Sequence, residues 1–193
     1  MQIQEQRTYS PSEYLEQEIS SEYRHEYIDG QIIQMTGGTP NHNQIALNLS
    51  AALNFALKRQ PYRVFVTDQR LWIPNKRTHT YPEVMVVAGQ LEFLEGRKDT
   101  ITNPLMIAEV LSKSTKSYDR DEKFAAYRTI PNFQEYILID QYKIHVEQYS
   151  KTTDNKWIFS EYEDDDFVLS LTSVQFQISL SDIYDKVDFD APE

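Results

Sequence analysis

Apolar and polar positions alternate over most of this chain, dividing it into short segments of which the majority read as strands. Ser10-Pro11-Ser12-Glu13 opens a helix, with Ser10 as cap, Pro11 at the first helical position and Glu13 at the third. That helix is short and ends near Gln17. Between Tyr23 and Met35 the alternation surrounds Asp29-Gly30, the signal of a tight hairpin, because glycine tolerates positive φ. Glu26 and His25 fall in its first strand, at positions expected on a half-exposed sheet. A longer amphipathic helix capped by Asn41 follows, with Ile45, Leu49, Ala52, Leu53, Ala56 and Leu57 at helical spacing and His42 in the first turn.

Residues 62–67 and 69–73 read as two further strands, closed by Pro74-Asn75, and 76–80 as a polar loop. The runs 81–88 and 105–111, rich in Val, Ile and Met, are strands buried on both faces, joined by an irregular surface connection over 92–103. Asp119 is placed to cap the next helix, with Glu122 three residues on in a capping-box spacing. Lys123 and Tyr127 share one face of that helix, which Pro131 ends. Residues 133–139 and 143–149 alternate around 140–142, and 157–162 extends the sheet antiparallel. A strand at 176–180 and a turn capped by Ser181, bearing Ile183 and Tyr184, close the chain. The expectation is one α/β (α+β) domain over 1–193, with 1–9 loose, 10–150 the core, and 151–193 the C-terminal strands and short helix.

Two carboxylates interrupt the apolar runs. With a side-chain period of two, Glu83 shares a face with Met85 and Val87, and Glu109 shares one with Leu105, Ile107 and Leu111. An ionised carboxylate among such neighbours is costly unless something cationic meets it. Either residue alone is explained by an arginine partner or by solvent at a strand end. Two of them on neighbouring strands, followed by a lysine on a helix, are reconciled most simply by a shared divalent cation.

Composition narrows the classes. The chain holds no cysteine, which removes disulfides and thiolate metal sites and fits a reducing cytoplasm. No apolar run approaches the roughly 18 residues of a membrane span. The net charge of −11 opposes a surface coated in nucleic acid, but it is unevenly spread. Residues 41–80 carry Lys58, Arg59, Arg63, Arg70, Lys76 and Arg77 against Asp68 alone, whereas the last forty residues are strongly acidic. The basic residues are expected to gather where a site opens. The acidic turn at 163–166 lacks the glycine and ligand spacing of a calcium loop.

Several of these pieces, in this order and spacing, carry a resemblance. They are Glu26-Tyr27-Ile28-Asp29-Gly30, His42 on the long helix, Tyr81-Pro82-Glu83, Glu109-Val110-Leu111-Ser112-Lys113-Ser114-Thr115, Asp119-Arg120 with Lys123, and Glu135-Tyr136. Over about residues 10–150 the chain resembles the PD-(D/E)XK nuclease superfamily, and within it the Uma-type family of restriction endonucleases. The resemblance implies a restriction-endonuclease-like mixed sheet flanked by helices and a magnesium (or manganese) site. Glu83 and Glu109 would supply carboxylates, the Val110 carbonyl a third oxygen, and Lys123 the catalytic lysine; DNA would be the substrate and a homodimer the assembly. Glu83 stands where the superfamily usually has Asp, one methylene shorter. The alternative is therefore a catalytically weakened nuclease fold that binds nucleic acid or protein.

Overall fold

The structure is a computed structural model that describes residues 7–113 and 115–190. Most of the expected loose start, residues 1–6, lies outside the described residues, as does Ser114.

A six-stranded mixed sheet forms the centre, in the order β11-β10-β9-β8-β6-β3. Its strands are β3 (Tyr62–Val66), β6 (Val84–Ala88), β8 (Met106–Leu111), β9 (Glu135–Asp140), β10 (Val146–Lys151) and β11 (Trp157–Tyr162). β6 and β8 pair antiparallel with Val84 opposite Ala108, while β8 and β9 run parallel with Met106 opposite Glu135. Alternation along the strands sends side chains to two cores. Val84, Val86, Ala108, Val110, Ile137 and Ile139 pack with α2 (Pro40–Ala56) and with the C-terminal hairpin of β12 (Val168–Leu171) and β13 (Phe176–Ser179). Met85, Val87, Ile107, Leu111, Tyr136 and Leu138 pack on the other face, against Phe124, Tyr127 and Phe133 and against Leu71 and Ile73 of a second sheet. That sheet has the order β2-β1-β5-β4-β7. It comprises β1 (His25–Ile28), β2 (Gln31–Gln34), β4 (Arg70–Ile73), β5 (Thr78–Thr80) and β7 (Thr100–Ile101).

The expected first helix is present as α1 (Pro11–Ser20), and Ser10 and Glu13 complete its capping box. The hairpin turns at Asp29-Gly30, both at positive φ. Four local expectations are corrected. Thr39, not Asn41, caps α2, because Pro40 takes the first position and the Thr39 hydroxyl accepts the His42 N–H. The segments at 76–80 and 92–103 each contain a strand, β5 and β7, paired to β4 from either side. Ser179, not Ser181, caps α5 (Leu180–Ile183). Asp119 caps nothing: helix α3 (Lys116–Tyr118) runs into a π-helical turn (Asp119–Lys123) and then α4 (Phe124–Tyr127). Asp119 and Lys123, four residues apart on this turn, are both buried, with 3.1 Å between Oδ1 and Nζ. Among the described residues no helix is long and apolar enough to cross a membrane.

Candidate active site

Glu83 is the residue just before β6, and Glu109 lies on β8. The antiparallel register, continued one step past Val84 and Ala108, sets them side by side at the end of the pair. The Glu83 N–H donates to Glu109 Oε2 (3.3 Å), and the Val110 N–H donates to Glu83 Oε2 (3.0 Å). In an extended strand the N–H and C=O of one residue face the same edge. The Val110 carbonyl therefore faces the side on which Glu83 sits. Glu109 has no exposed surface, and its Oε1 accepts the Tyr127 hydroxyl (2.7 Å) and the Lys123 ammonium (3.2 Å). Lys123 is also 3.1 Å from Asp119 and 3.7 Å from Glu26. Glu26, expected on a half-exposed sheet, is buried and takes the Thr80 hydroxyl in a short hydrogen bond. His42 completes the group, its Nε2 3.4 Å from Glu83 Oε1.

The electrostatics follow from this crowding. Burial raises the pKa of the Glu109 carboxyl well above the usual range, and the neighbouring Glu83 charge adds to it, against the pull of Lys123. Lys123 is held in its charged form: burial works against the ammonium, but Glu109, Glu26 and Asp119 outweigh it. His42 is kept neutral by burial, which exceeds the pull of Glu109 and Asp119. Three carboxylates, Glu109, Asp119 and Glu26, thus surround one ammonium, and Glu83 adds a fourth beside Glu109. Hard oxygens from Glu83, Glu109 and the Val110 carbonyl, with this surplus of negative charge, suit a divalent magnesium-type ion. The donor set fits the metal.

Glu26, His42, Glu83 and Lys123 line a cleft of about 420 Å³, whose walls also include Ile33, Gly38, Lys113 and Tyr142; Glu109 and Asp119 are buried and are not among its walls. The basic residues of 41–80 do not gather there. Arg70 is buried, donates to the Tyr81 hydroxyl (2.8 Å) and lies 3.6 Å from Asp99; Arg77 lies 3.3 Å from Asp29; Arg63 is exposed on the edge strand β3. Arg70 and Arg77 are thus spent on ion pairs within the fold. The cations along the cleft, among the described residues, are Lys113 and Lys123.

Residues 11–181 match the family model Uma2, described as "Putative restriction endonuclease". The chain belongs to this family. Two relatives from Synechocystis sp. (strain ATCC 27184 / PCC 6803 / Kazusa) accompany it. Uncharacterized protein sll1609 is 43% identical over 150 residues, covering 78% of this chain and 85% of the relative. Uncharacterized protein slr1290 is 35% identical over 177 residues, covering 91% and 90%. The fold is also that of a crystal structure from Anabaena variabilis ATCC 29413, described as "a putative nuclease belonging to DUF820". The TM-score is 0.74 at 20% identity, covering 91% of this chain and 97% of that one. The Uma2 member described here therefore has a nuclease-like fold, with mixed sheets flanked by helices.

Sequence reasoning singled out Glu83, Glu109, Val110 and Lys123, and they lie together. It missed Asp119, read as a cap, and Tyr127, noted only as sharing a face with Lys123. A signal for both was present: Asp119, Lys123 and Tyr127 recur every four residues, so one helix face carries acid, base and phenol.

Proposed function

We propose that this protein is a metal-dependent endonuclease that hydrolyses phosphodiester bonds in DNA. The observation that carries the reading is Glu83 beside Glu109 at one strand end, with the Lys123 ammonium on Glu109. Glu83, Glu109 and the Val110 carbonyl would hold magnesium or manganese, which supplies Lewis acidity and charge neutralisation at the scissile phosphate. Lys123 stays protonated among three carboxylates, so it acts as a fixed positive charge for the phosphate oxygens rather than as a base. Tyr127, donating from the helix, fixes the Glu109 carboxylate. The neutral His42 steadies Glu83 from α2 and can take up a proton there, while Glu26 lies beside Lys123.

The test is cleavage of plasmid and linear DNA by purified protein with magnesium or manganese. Activity should vanish in Glu109→Ala. Lys123→Ala should slow cleavage and leave metal affinity nearly intact. Glu83→Asp reports on the added methylene, since magnesium demands near-ideal geometry at about 2.0–2.1 Å. Val110 N–H already braces the longer side chain, so shortening it should lower activity. Cleavage unchanged in Glu109→Ala would place the chemistry elsewhere.

One observation favours the second reading, a binding module. Both oxygens of Glu109 already accept hydrogen bonds from Glu83, Lys123 and Tyr127, so the site is closed on itself. No cleavage by wild type or Glu83→Asp, on DNA and RNA with both metals, would decide for it. A homodimer and a cytoplasmic setting remain parts of the proposal, the first checked by sedimentation.

A further inference from the structure

The cleft is poorly built for a duplex. Each phosphate that a protein neutralises needs a cation, and duplex binders spread many along a face. Here Lys113 and Lys123 are the cations on the cleft walls, Lys123 is held by three carboxylates, and Arg70 and Arg77 are tied up in ion pairs. With a net charge of −11, the rest of the surface gives little electrostatic help. Affinity for a nucleic acid must therefore come from something other than phosphate pairing.

An aromatic wall supplies that source. Tyr142, in the turn between β9 and β10, lines the same cleft as Glu83 and Glu26 and is 37% exposed. Its position is fixed at both ends. The backbone N–H donates to Asp140 Oδ1 (2.7 Å), and the phenolic oxygen accepts the Lys113 N–H (3.3 Å). The Lys113 ammonium lies over one face of the ring, 5.3 Å from its centroid, so a base would stack on the other face with a cation close by. Ile33, 48% exposed, adds an apolar surface to the same cleft. Gly37, in the loop between, leaves open space where a side chain would stand. A preset ring, a neighbouring cation and an apolar wall beside paired carboxylates form the kind of platform that takes an unstacked base.

We infer that the cleft binds an unpaired nucleotide strand, with one base stacked on Tyr142 and its phosphate reaching Lys113, so that single strands, flaps or frayed ends are preferred to intact duplex. The inference rests on the nuclease reading of the same site and deepens it. Base stacking tolerates any sequence, because every base has a π-face. The salt dependence should be shallow: one phosphate contact on a single strand gives a slope of log affinity against log salt of about −0.7.

The test is fluorescence anisotropy with a labelled 12-nucleotide oligodeoxynucleotide, single-stranded and as its duplex, in calcium to hold the site without cleavage. Wild type, Tyr142→Ala and Tyr142→Phe are compared across about 50–200 mM salt, with thermal melts to show that each variant is folded. Wild type should bind the single strand at least tenfold tighter than the duplex. Tyr142→Ala should lose roughly 5- to 150-fold on the single strand, the range that loss of one stacked base gives, and Tyr142→Phe should stay within threefold of wild type. Equal or tighter duplex binding, a folded Tyr142→Ala that matches wild type, or a steep salt slope would overturn the inference. If wild type still cuts duplex with magnesium in any of those cases, the nuclease reading stands without it. Protein that neither binds nor cuts either form removes both.

Discussion

Glu109 and Glu135 sit on neighbouring parallel strands of one sheet, and neither exposes any surface. They face opposite sides, and their surroundings differ completely. Glu135 points toward the C-terminal hairpin and is saturated by neutral donors. Gln148 Nε2 (2.6 Å), the Ser173 hydroxyl (2.6 Å) and the backbone N–H groups of Thr172 (3.0 Å) and Ser173 (3.0 Å) all donate to it. Nothing is left for a ligand. Glu109 is met by an ammonium, a phenol and a second carboxylate, and its neighbours open into the cleft. Burial alone therefore does not mark a functional carboxylate. A satisfied acid holds the fold together, and an acid crowded by like charge is the one to test for chemistry.

Opposite substitutions should separate the two. Glu109→Gln should reduce cleavage at least about 10³-fold, the scale of losing a principal charge in a catalytic site, while moving the melting temperature by only a few degrees. It removes a charge that burial and Glu83 already disfavour. Glu135→Ala should do the reverse. Stranding the donors of Thr172, Ser173 and Gln148 should cost about 4 kcal/mol, roughly 10 °C in a chain of this size, with the turnover of the folded fraction unchanged. A melt and a cleavage assay on both variants suffice. Glu109→Gln that unfolds the protein, or Glu135→Ala that melts like wild type, would break the contrast.

Tyr127 offers a finer measurement. Its hydroxyl is buried and donates to Glu109 Oε1, and burial and the Glu109 charge hold the phenol well above its ordinary pKa. It therefore stays a donor at any working pH. Tyr127→Phe keeps the ring against Phe133 and Tyr136 and removes one hydrogen bond. Cleavage should fall about tenfold, the equivalent of about 1.4 kcal/mol, with metal affinity weakened to a similar degree. An unchanged rate would mean that Lys123 alone positions Glu109.

Much of this contrast was legible in the sequence on one side only. Glu83 and Glu109 stood out because each broke an apolar run whose period of two fixed its face, and Lys123 because it followed on a helix. The helices, the hairpin and the central strands followed from capping residues, Asp29-Gly30 and alternation. Glu135 also breaks an apolar face, that of Phe133, Ile137 and Ile139, and entered the resemblance with Tyr136, but nothing in the sequence showed what would satisfy it. Its donors come from 148, 150, 172 and 173, and a chain read in order cannot say that those residues return to one point. β5 was hidden for a related reason. Thr78-His79-Thr80 is polar, yet all three are buried, because pairing to β1 and β4 satisfies the backbone and Thr80 serves Glu26. The π-turn also defeated local reading, since a capping-box spacing at Asp119 and Glu122 looks the same whether or not the helix begins there.

His79 extends the comparison to a buried group that is neither satisfied nor placed at the site, and it should give the smallest effect at neutral pH. The ring is fully buried between Trp72 (centroids 4.2 Å apart) and Tyr14 (5.1 Å), and neither nitrogen has a hydrogen-bond partner. Burial lowers its pKa to about 3, helped by Arg70 and Arg97 and opposed by Asp99. The folded-state value lies below that of the unfolded chain, about 6.5, so between them the unfolded chain binds a proton that the folded protein refuses. The contribution to stability is therefore whole above pH 6.5 and is lost as pH falls toward 3, by up to about 1.4 kcal/mol per unit. His79→Phe retains the stacking and removes both the orphan N–H and the titration. It should be about 1 kcal/mol more stable than wild type at pH 7, and the gap should widen by about 2 kcal/mol at pH 5. Urea melts of the two proteins at both pH values measure the difference, in which the titration of the shared carboxylates cancels. A gap that does not change with pH would mean that His79 finds a partner or water in solution.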